Sequence, residues 1–312
     1  MSTATTAIKA KQRPGDRVFS GSAVFAGSMI LVTLAAVAIF LIVQSLPALV
    51  ASNEDASILP ENFWTYVGPL VFGTVWAAAL ALLIAVPISI GIALFISHYA
   101  PRRLASVLGY IVDLLAAVPS VVFGLWGIGV LAPAVQPVYA WLVDNLGWFP
   151  LFSGPVSGTG RTILTAGIVL AVMVLPIMTA ICREVFLQTP VLHEEAALAL
   201  GATRWEMIRT AVLPFGRSGI ISAAVLGLGR ALGETMAVAM VLSATGAVTF
   251  QLLTSVNPST IAANIALSFP EAFGMNVNVL IATGLILFVV TFAVNAFARW
   301  IVSRRKEFSG AN

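Results

Sequence analysis

Two charged side chains lie inside a long apolar run in the last third of the chain. Arg230 and Glu234 fall within residues 218–245, which are otherwise almost free of charge. A charged residue at the centre of a membrane costs about 2.5–3.5 kcal/mol on insertion scales, so such residues usually face protein or water. The planar fork of an arginine suits bidentate contacts with an oxyanion. On one continuous helix the spacing i, i+4 places both residues on the same face, so Glu234 would hold the Arg230 fork when no anion is bound. The alternative is a permanent ion pair that stabilises a contact between subunits.

A second apolar run, predicted at 105–132, carries two further polar candidates. Asp113 either lines an aqueous pathway or pairs with a basic residue. Ser120 either contacts a passing anion or makes a hydrogen bond between helices. Pro119 lacks a backbone donor and is predicted to kink the helix between them.

Small residues near the charged pair predict close packing of helices. Gly229 and Gly233 form a small-xxx-small pair, which lets a helix of another membrane subunit approach. A nucleotide site is a poor interpretation of these glycines, because no strand precedes them. His98 and His193 lack the neighbours that a zinc site needs. With no catalytic triad pattern and no phosphate-binding loop, the sequence predicts neither an enzyme nor a metal or cofactor site in this chain.

The composition indicates the elements that must position these residues. Of the 312 residues, 59% are hydrophobic and 9% are charged, whereas soluble domains carry about 25% charged residues. A helix needs roughly 20 apolar residues to cross a bilayer. The sequence therefore predicts an all-α polytopic membrane protein with six spans. These are placed near 20–47, 69–97, 105–132, 162–182, 218–245 and 276–301.

The basic residues predict the orientation of the six spans. With both termini in the cytoplasm, 14 of the 16 Lys and Arg residues lie on the cytoplasmic side, and the segments 48–68 and 246–275 contain none. The first apolar run is too long for a signal peptide and is predicted to be a retained anchor. We expect a cytoplasmic tail at 1–18, a six-span domain at 19–302 and a cytoplasmic tail at 303–312.

The polar segment 184–217 lies between the fourth and fifth spans and carries an unusual number of helix signals. Thr189 followed by Pro190 predicts an N-cap with proline at the first helical position. Gly201 suits a left-handed stop, and the stretch Thr203–Glu206 matches a capping box. The segment is therefore predicted to form two short helices with a bend at Gly201.

A loop that only joined two spans would not need such a bend. Pro214 is predicted to end the second helix. An amphipathic helix lying on the lipid surface is the alternative, but the first helix has glutamates where anionic lipids attract basic residues. We therefore favour a docking element for a partner protein.

The segment also resembles the "EAA" loop of ABC importer permeases. The matching residues are Glu195, Ala196, Ala197, Gly201, Leu213 and Pro214, with the spacing of that motif. The stretches 119–127 (PSVVFGLWG) and 227–238 (GLGRALGETMAV) resemble those of the PstC-like family of phosphate importer permeases. The resemblance covers about 69–301.

This resemblance implies a type I ABC importer permease in a bacterial or archaeal cell membrane. The EAA residues would couple the permease to a separate ATPase, and Arg230 and Glu234 would serve phosphate transport. The implied partners are a PstA-like permease, two copies of a PstB-like ATPase and a PstS-like phosphate-binding protein. ATP and magnesium would then be bound by the ATPase, not by this chain.

Two other functions stay open from the sequence. A permease for another anion, such as sulfate or molybdate, would need the same intramembrane arginine. An ATP-independent secondary transporter would instead predict inverted halves with broken helices and no docking loop.

Overall fold

The computed structural model describes residues 14–303, with side chains for 15–300. Residues 1–13 and 304–312, which make up most of the predicted tails 1–18 and 303–312, lie outside the described residues, and the first helix already begins at Pro14. Six helical stretches in this part of the chain are long and apolar enough to cross a membrane. They confirm the predicted number of spans and the all-α fold.

Twelve α-helices are described between residues 14 and 303. Their bounds are α1 Pro14–Leu49, α2 Phe63–Leu94, α3 Arg102–Ala116, α4 Ser120–Trp126, α5 Ala132–Leu146, α6 Ile163–Leu187, α7 Val191–Ala199, α8 Arg204–Met207, α9 Leu213–Leu232, α10 Met236–Val241, α11 Ile261–Ser268 and α12 Met275–Ser303. Three five-residue π turns, Phe95–Tyr99, Gly127–Leu131 and Ile208–Val212, continue or join these helices, and a short 3₁₀ turn, Phe269–Glu271, follows α11. The only strand-like pairings within this part of the chain are two isolated bridges, Ser52 with Asn62 and Ala244 with Asn257.

The third span lies further along the chain than predicted. The prediction 105–132 is wrong, because α3 ends at Ala116 and the membrane-length helix runs over Ser120–Leu146. Pro119 does not kink one helix but occupies the extended position before α4, with φ −60° and ψ 139°. A residue before proline avoids the helical region, which explains why the chain breaks at this point.

The fifth span begins earlier and ends earlier than the predicted 218–245. It is continuous over Arg204–Leu232, and α10 follows only after a non-helical stretch at 233–235. The prediction that Pro214 ends a helix is therefore wrong. The π turn directly before α9 bonds the N–H of Leu213 to the carbonyl of Ile208, and this wider turn accommodates the missing donor of Pro214.

Helices α2 and α6 form the centre of the bundle. α2 buries a stripe of alanines, among them Ala77, Ala81 and Ala85, in the same core cluster as residues of α6. A Cβ added at Gly167 of α6 would lie 3.0 Å from the Cβ of Leu80, so the two helices approach closely there. Small residues at such a crossing allow tight van der Waals packing, which is the main attraction between helices in lipid.

The bundle has two different ends. We call the end with α7 and α8 the elbow end, and the end with the segments 50–62, 147–162 and 242–274 the loop end. At the loop end, the hydroxyl of Thr74 on α2 accepts the N–H of Ile261, which begins α11. The long segment between α10 and α11 is therefore fixed onto α2.

Candidate functional site

The predicted charged pair lies at the interruption between α9 and α10. Arg230 occupies the last turn of α9, and Glu234 belongs to the non-helical stretch that follows. The prediction that both residues share one face of a continuous helix is therefore wrong. The side chain of Glu234 is buried, and its Oε1 accepts the N–H of Ala237 at 3.0 Å. Glu234 thus caps α10, because the first amides of a helix have no partner within it.

The guanidinium of Arg230 keeps its donors free within the described residues. Its Nε is buried without a hydrogen-bond partner, and Glu234 lies outside ion-pair distance. The hypothesis that Glu234 holds the fork of Arg230 therefore does not describe this structure. An unpaired buried donor is costly, so such a group favours an anion or a polar group from another chain.

Helix α4 packs directly against α10. A Cβ added at Gly124 would lie 3.0 Å from the Cα of Ala237, so the two backbones approach closely. Ser120 stands one turn before Gly124 and is half-buried. The structure therefore places Ser120 at the start of the helix that packs against α10.

A polar clasp holds the far end of α10. The Nη2 of Arg161 donates to the carbonyl of Met240 at 3.0 Å, where the last carbonyls of α10 would otherwise lack partners. Asn257, fully buried, accepts the N–H of Ile163 and donates to the carbonyl of Ser243. The sequence analysis missed this clasp, since only an Asn-Pro dipeptide in a loop marks its position.

The two glycines predicted to pack helices have no neighbouring helix against them within the described residues. A Cβ added at Gly229 would meet no atom within 4 Å, and one at Gly233 would meet only the carbonyl of Gly229, at 3.5 Å. Gly227 is instead a position on α9 where another helix of this chain approaches, since its Cβ would lie 2.7 Å from Val174. Packing of Gly229 and Gly233 against another subunit stays a prediction.

The segment between the fourth and fifth spans forms a bent pair of helices, which we call the elbow (α7 and α8 with the bend at Gly201). Gly201 has φ +85°, a left-handed conformation that L side chains rarely adopt. The capping box is confirmed: the Thr203 hydroxyl accepts the N–H of Glu206, and the Glu206 carboxylate accepts the N–H of Thr203 at 2.7 Å. The N-cap of α7 is Pro190, not Thr189 as predicted.

The elbow exposes large apolar side chains together with carboxylates. Leu200 is 90% exposed, Leu192 76% and Trp205 55%. Glu195 and Ala196 are exposed, whereas Ala197 packs against the buried cluster beneath the elbow. Such a surface outside the apolar part of the spans is typical of a protein-binding site. The predicted coupling residues Glu195 and Ala196 therefore lie where a partner can reach them, and Leu213 and Pro214 lie at the start of α9 beneath.

Asp113 lies near the elbow end and not at the interruption in α9. Its Oδ2 is 3.7 Å from the Nη2 of Arg183 in the last turns of α6. Gly109 leaves the room for this contact, because a Cβ there would clash with the Arg183 guanidinium. Of the two predicted roles, the structure favours pairing with a basic residue.

A contact that the sequence analysis missed links the elbow to the end of α2. The Nε2 of His98 is 3.4 Å from the Oε1 of Glu194. No sequence signal connects the two residues, which lie 96 positions apart. The structure thus groups the candidates into two sites: one at the interruption in α9, and one at the elbow.

The family model described as "Binding-protein-dependent transport system inner membrane component" matches residues 85–307. The chain belongs to this family. The match in this inner membrane component begins within α2 and includes the elbow, the interruption in α9 and α12, whereas α1 lies before it.

Curated relatives of this inner membrane component are similar over almost its whole length. The phosphate transport system permease protein PstC 2 of Mycobacterium tuberculosis is 49% identical, covering 93% of this chain and 92% of the relative. PstC of Mycobacterium leprae is 46% identical over 93% and 94% of the two chains, and PstC of Mesorhizobium japonicum is 40% identical over 95% and 92%.

Solved structures with the same fold come from ABC importers. A bacterial ABC transporter involved in alginate import gives a TM-score of 0.57 at 18% identity, covering 93% of this chain and 99% of that one. The same kind of transporter in complex with an alginate-bound periplasmic protein gives 0.59 at 18% identity, covering 96% and 100%. This inner membrane component therefore has the ABC importer permease fold and is a multi-pass membrane protein.

Proposed function

We propose that the chain is a transmembrane permease subunit of an ATP-driven phosphate importer. The observation that carries the proposal is the similarity to PstC permease proteins, at 49% identity across 93% of the chain. Arg230 supports an anionic substrate, because its buried Nε has no hydrogen-bond partner among residues 15–300. In this proposal Arg230 offers transient contacts to phosphate, and Ser120 and Glu234 belong to the same region of the pathway.

The proposed orientation puts the elbow and both termini in the cytoplasm. Nearly all Lys and Arg residues fall at the elbow end or in the terminal segments. At the loop end, the segments 50–62 and 242–274 contain no Lys or Arg. Short cytoplasmic loops carry such an excess of basic residues. The loop end then faces the compartment from which phosphate arrives.

The proposed partners follow from the two ends of the bundle. The exposed apolar surface of the elbow supports docking of a PstB-like ATPase, of which the complex would hold two copies. A PstA-like permease would complete the pathway across from Gly229 and Arg230. A PstS-like phosphate-binding protein would dock at the loop end, where Trp148 is 79% exposed. ATP and magnesium would bind to the ATPase alone.

One structural feature is shared with ion-gradient transporters. Helices that break within the membrane are common in secondary transporters, and the stretch 233–235 is such a break. The elbow favours the ATP-driven importer, because a gradient-driven transporter has no need of a bent docking element. A permease for sulfate or molybdate stays the alternative within the same class.

Uptake of radiolabelled phosphate by proteoliposomes that contain the assembled complex tests the proposal. ATP is enclosed on the ATPase side, and the binding protein is added outside. We expect uptake that requires ATP, survives ionophores that dissipate ion gradients, and is not reduced by excess sulfate or molybdate. Uptake without ATP that collapses with an ionophore would indicate a secondary transporter, and competition by sulfate or molybdate would indicate a different substrate.

A further inference from the structure

The cytoplasm-facing end of α2 carries a histidine in a fixed orientation. The helix ends in the π turn Phe95–Tyr99, closed by a hydrogen bond from the N–H of Ala100 to the carbonyl of Phe95. The hydroxyl of Ser97 lies 2.8 Å from the carbonyl of Ala93 and 2.7 Å from the Nδ1 of His98. The ring is thus held at Nδ1 by a hydroxyl that is itself bonded to the helix backbone, which directs Nε2 of His98 away from α2.

That nitrogen meets a carboxylate of the elbow. The Nε2 of His98 lies 3.4 Å from the Oε1 of Glu194 on α7, with the two side chains 9% and 23% exposed. An ionised carboxylate only accepts hydrogen bonds, so Nε2 must carry the hydrogen in this contact. Within residues 15–300, no other side-chain hydrogen bond connects α7 to a membrane span.

A cavity next to the contact leaves room for movement. It has a volume of about 270 Å³ and borders both His98 and Glu194. Its wall also includes Leu198 of α7, Arg204 of α8 and Ile208, the first residue of the π turn Ile208–Val212. π turns are uncommon and frequently mark functional sites in helices. Two of them meet at this cavity, which leaves free space beside the His98–Glu194 contact between α2 and α7.

A shift at the end of α2 would reach the centre of the bundle. The alanine stripe of α2 packs on α6, and tightly packed helices move as rigid bodies. The covalent connection from the elbow leads through α8 into α9, which carries Arg230. The His98–Glu194 contact adds a second, non-covalent connection into α2.

We propose that His98 is a positioning residue that joins the elbow to α2, so that movement of the elbow during ATP hydrolysis moves α2 together with α9. This inference rests on the proposed function, because it requires a partner ATPase that acts on the elbow. If the contact transmits movement, the effects of removing its two side chains should not be independent. Once one side chain is removed, removing the other should cause no further loss of transport per ATP.

The test is the number of phosphate ions transported per ATP hydrolysed, measured on the complex in proteoliposomes. We expect His98→Ala and Glu194→Ala each to lower this ratio by about tenfold, the factor equivalent to one hydrogen bond to a charged group. In the double variant this ratio should be no lower than in either single variant. His98→Gln keeps an N–H donor and should restore much of the ratio. Tyr99→Ala is the matched control, since Tyr99 is the exposed neighbour of His98 in the same π turn and lies outside the elbow.

The outcomes separate this inference from the proposed function. If the unmodified complex shows no ATP-dependent phosphate uptake, the proposed function is wrong. If it transports phosphate but His98→Ala keeps the normal ratio, or the losses of the two single variants multiply in the double variant, the positioning role is overturned. Should His98→Ala fail to assemble with the ATPase, His98→Gln decides, and a Gln variant that assembles with a tenfold lower ratio also overturns the role.

Discussion

For Arg230, the residue type alone predicts a functional role, but it does not predict the hydrogen-bond partners. A guanidinium in an apolar run is visible in the sequence, and its cost in lipid already indicates a function. The sequence does not reveal which group Glu234 binds, because that depends on the residue at which α9 ends. Because α9 ends before Gly233, the Glu234 carboxylate accepts the N–H of Ala237, and Arg230 has no carboxylate partner among the side chains that the structure describes. A free guanidinium can exchange one anion for the next, whereas a paired one would have to break an ion pair first.

Replacing Arg230 by glutamine tests this role at the level of one residue. We expect Arg230→Gln to lower ATP-dependent phosphate uptake at least tenfold, since the charge that attracts the anion is lost, while the complex still assembles and hydrolyses ATP. Arg230→Lys keeps the charge but not the bidentate fork, so its phosphate uptake should lie between that of the unmodified complex and that of Arg230→Gln. The measurement is uptake of radiolabelled phosphate by proteoliposomes.

The control for this substitution is Arg299→Gln, which removes an exposed charge from α12. It should leave uptake close to that of the unmodified complex. Normal uptake by Arg230→Gln would show that the arginine has only a structural role.

The helices show how much of the fold is encoded locally. Spans one, two, four and six follow from apolar length alone, and the capping box of α8 follows from Thr203 and Glu206. The effect of each proline on its helix could not be predicted from the neighbouring sequence. Pro119 separates two helices because the chain is extended there, whereas Pro214 lies inside a continuous helix because a π turn precedes it. The same residue type thus gives opposite results, which depend on the hydrogen bonds of its neighbours.

Substitutions at two glycines of α9 distinguish helix packing within this chain from packing against another subunit. A Cβ at Gly227 would lie 2.7 Å from Val174 and 2.8 Å from the Sδ of Met178, so Gly227→Val should lower the free energy of unfolding by about 1–3 kcal/mol. A Cβ at Gly229 would meet nothing within 4 Å in the described part of the chain. Gly229→Val should therefore leave the thermal unfolding of the solubilised chain nearly unchanged.

The second half of this prediction concerns the partner permease. If its helix packs on Gly229, the valine at that position should reduce co-purification of the partner permease with this chain, although the chain itself is folded. Unchanged co-purification would place the subunit contact elsewhere, and equal destabilisation by both substitutions would contradict the packing described for α9.

At the scale of the whole molecule, the two ends of the bundle are chemically distinct and are joined by a few continuous helices. The elbow end carries basic residues and an exposed apolar docking surface, while the loop end is free of Lys and Arg except for Arg161 in its clasp. Composition and charge were sufficient to predict this division. The contacts Asp113–Arg183 and His98–Glu194 were not predictable, because each joins residues far apart in the sequence.

A cryo-electron microscopy structure of the complete complex, with its second permease and its ATPases, tests the central claim most directly. The account predicts that α7 of the elbow sits in a cleft of an ATPase subunit, and that the Arg230 guanidinium faces a conduit between the two membrane subunits. An elbow that touches no partner, or an Arg230 side chain directed into lipid, would contradict it.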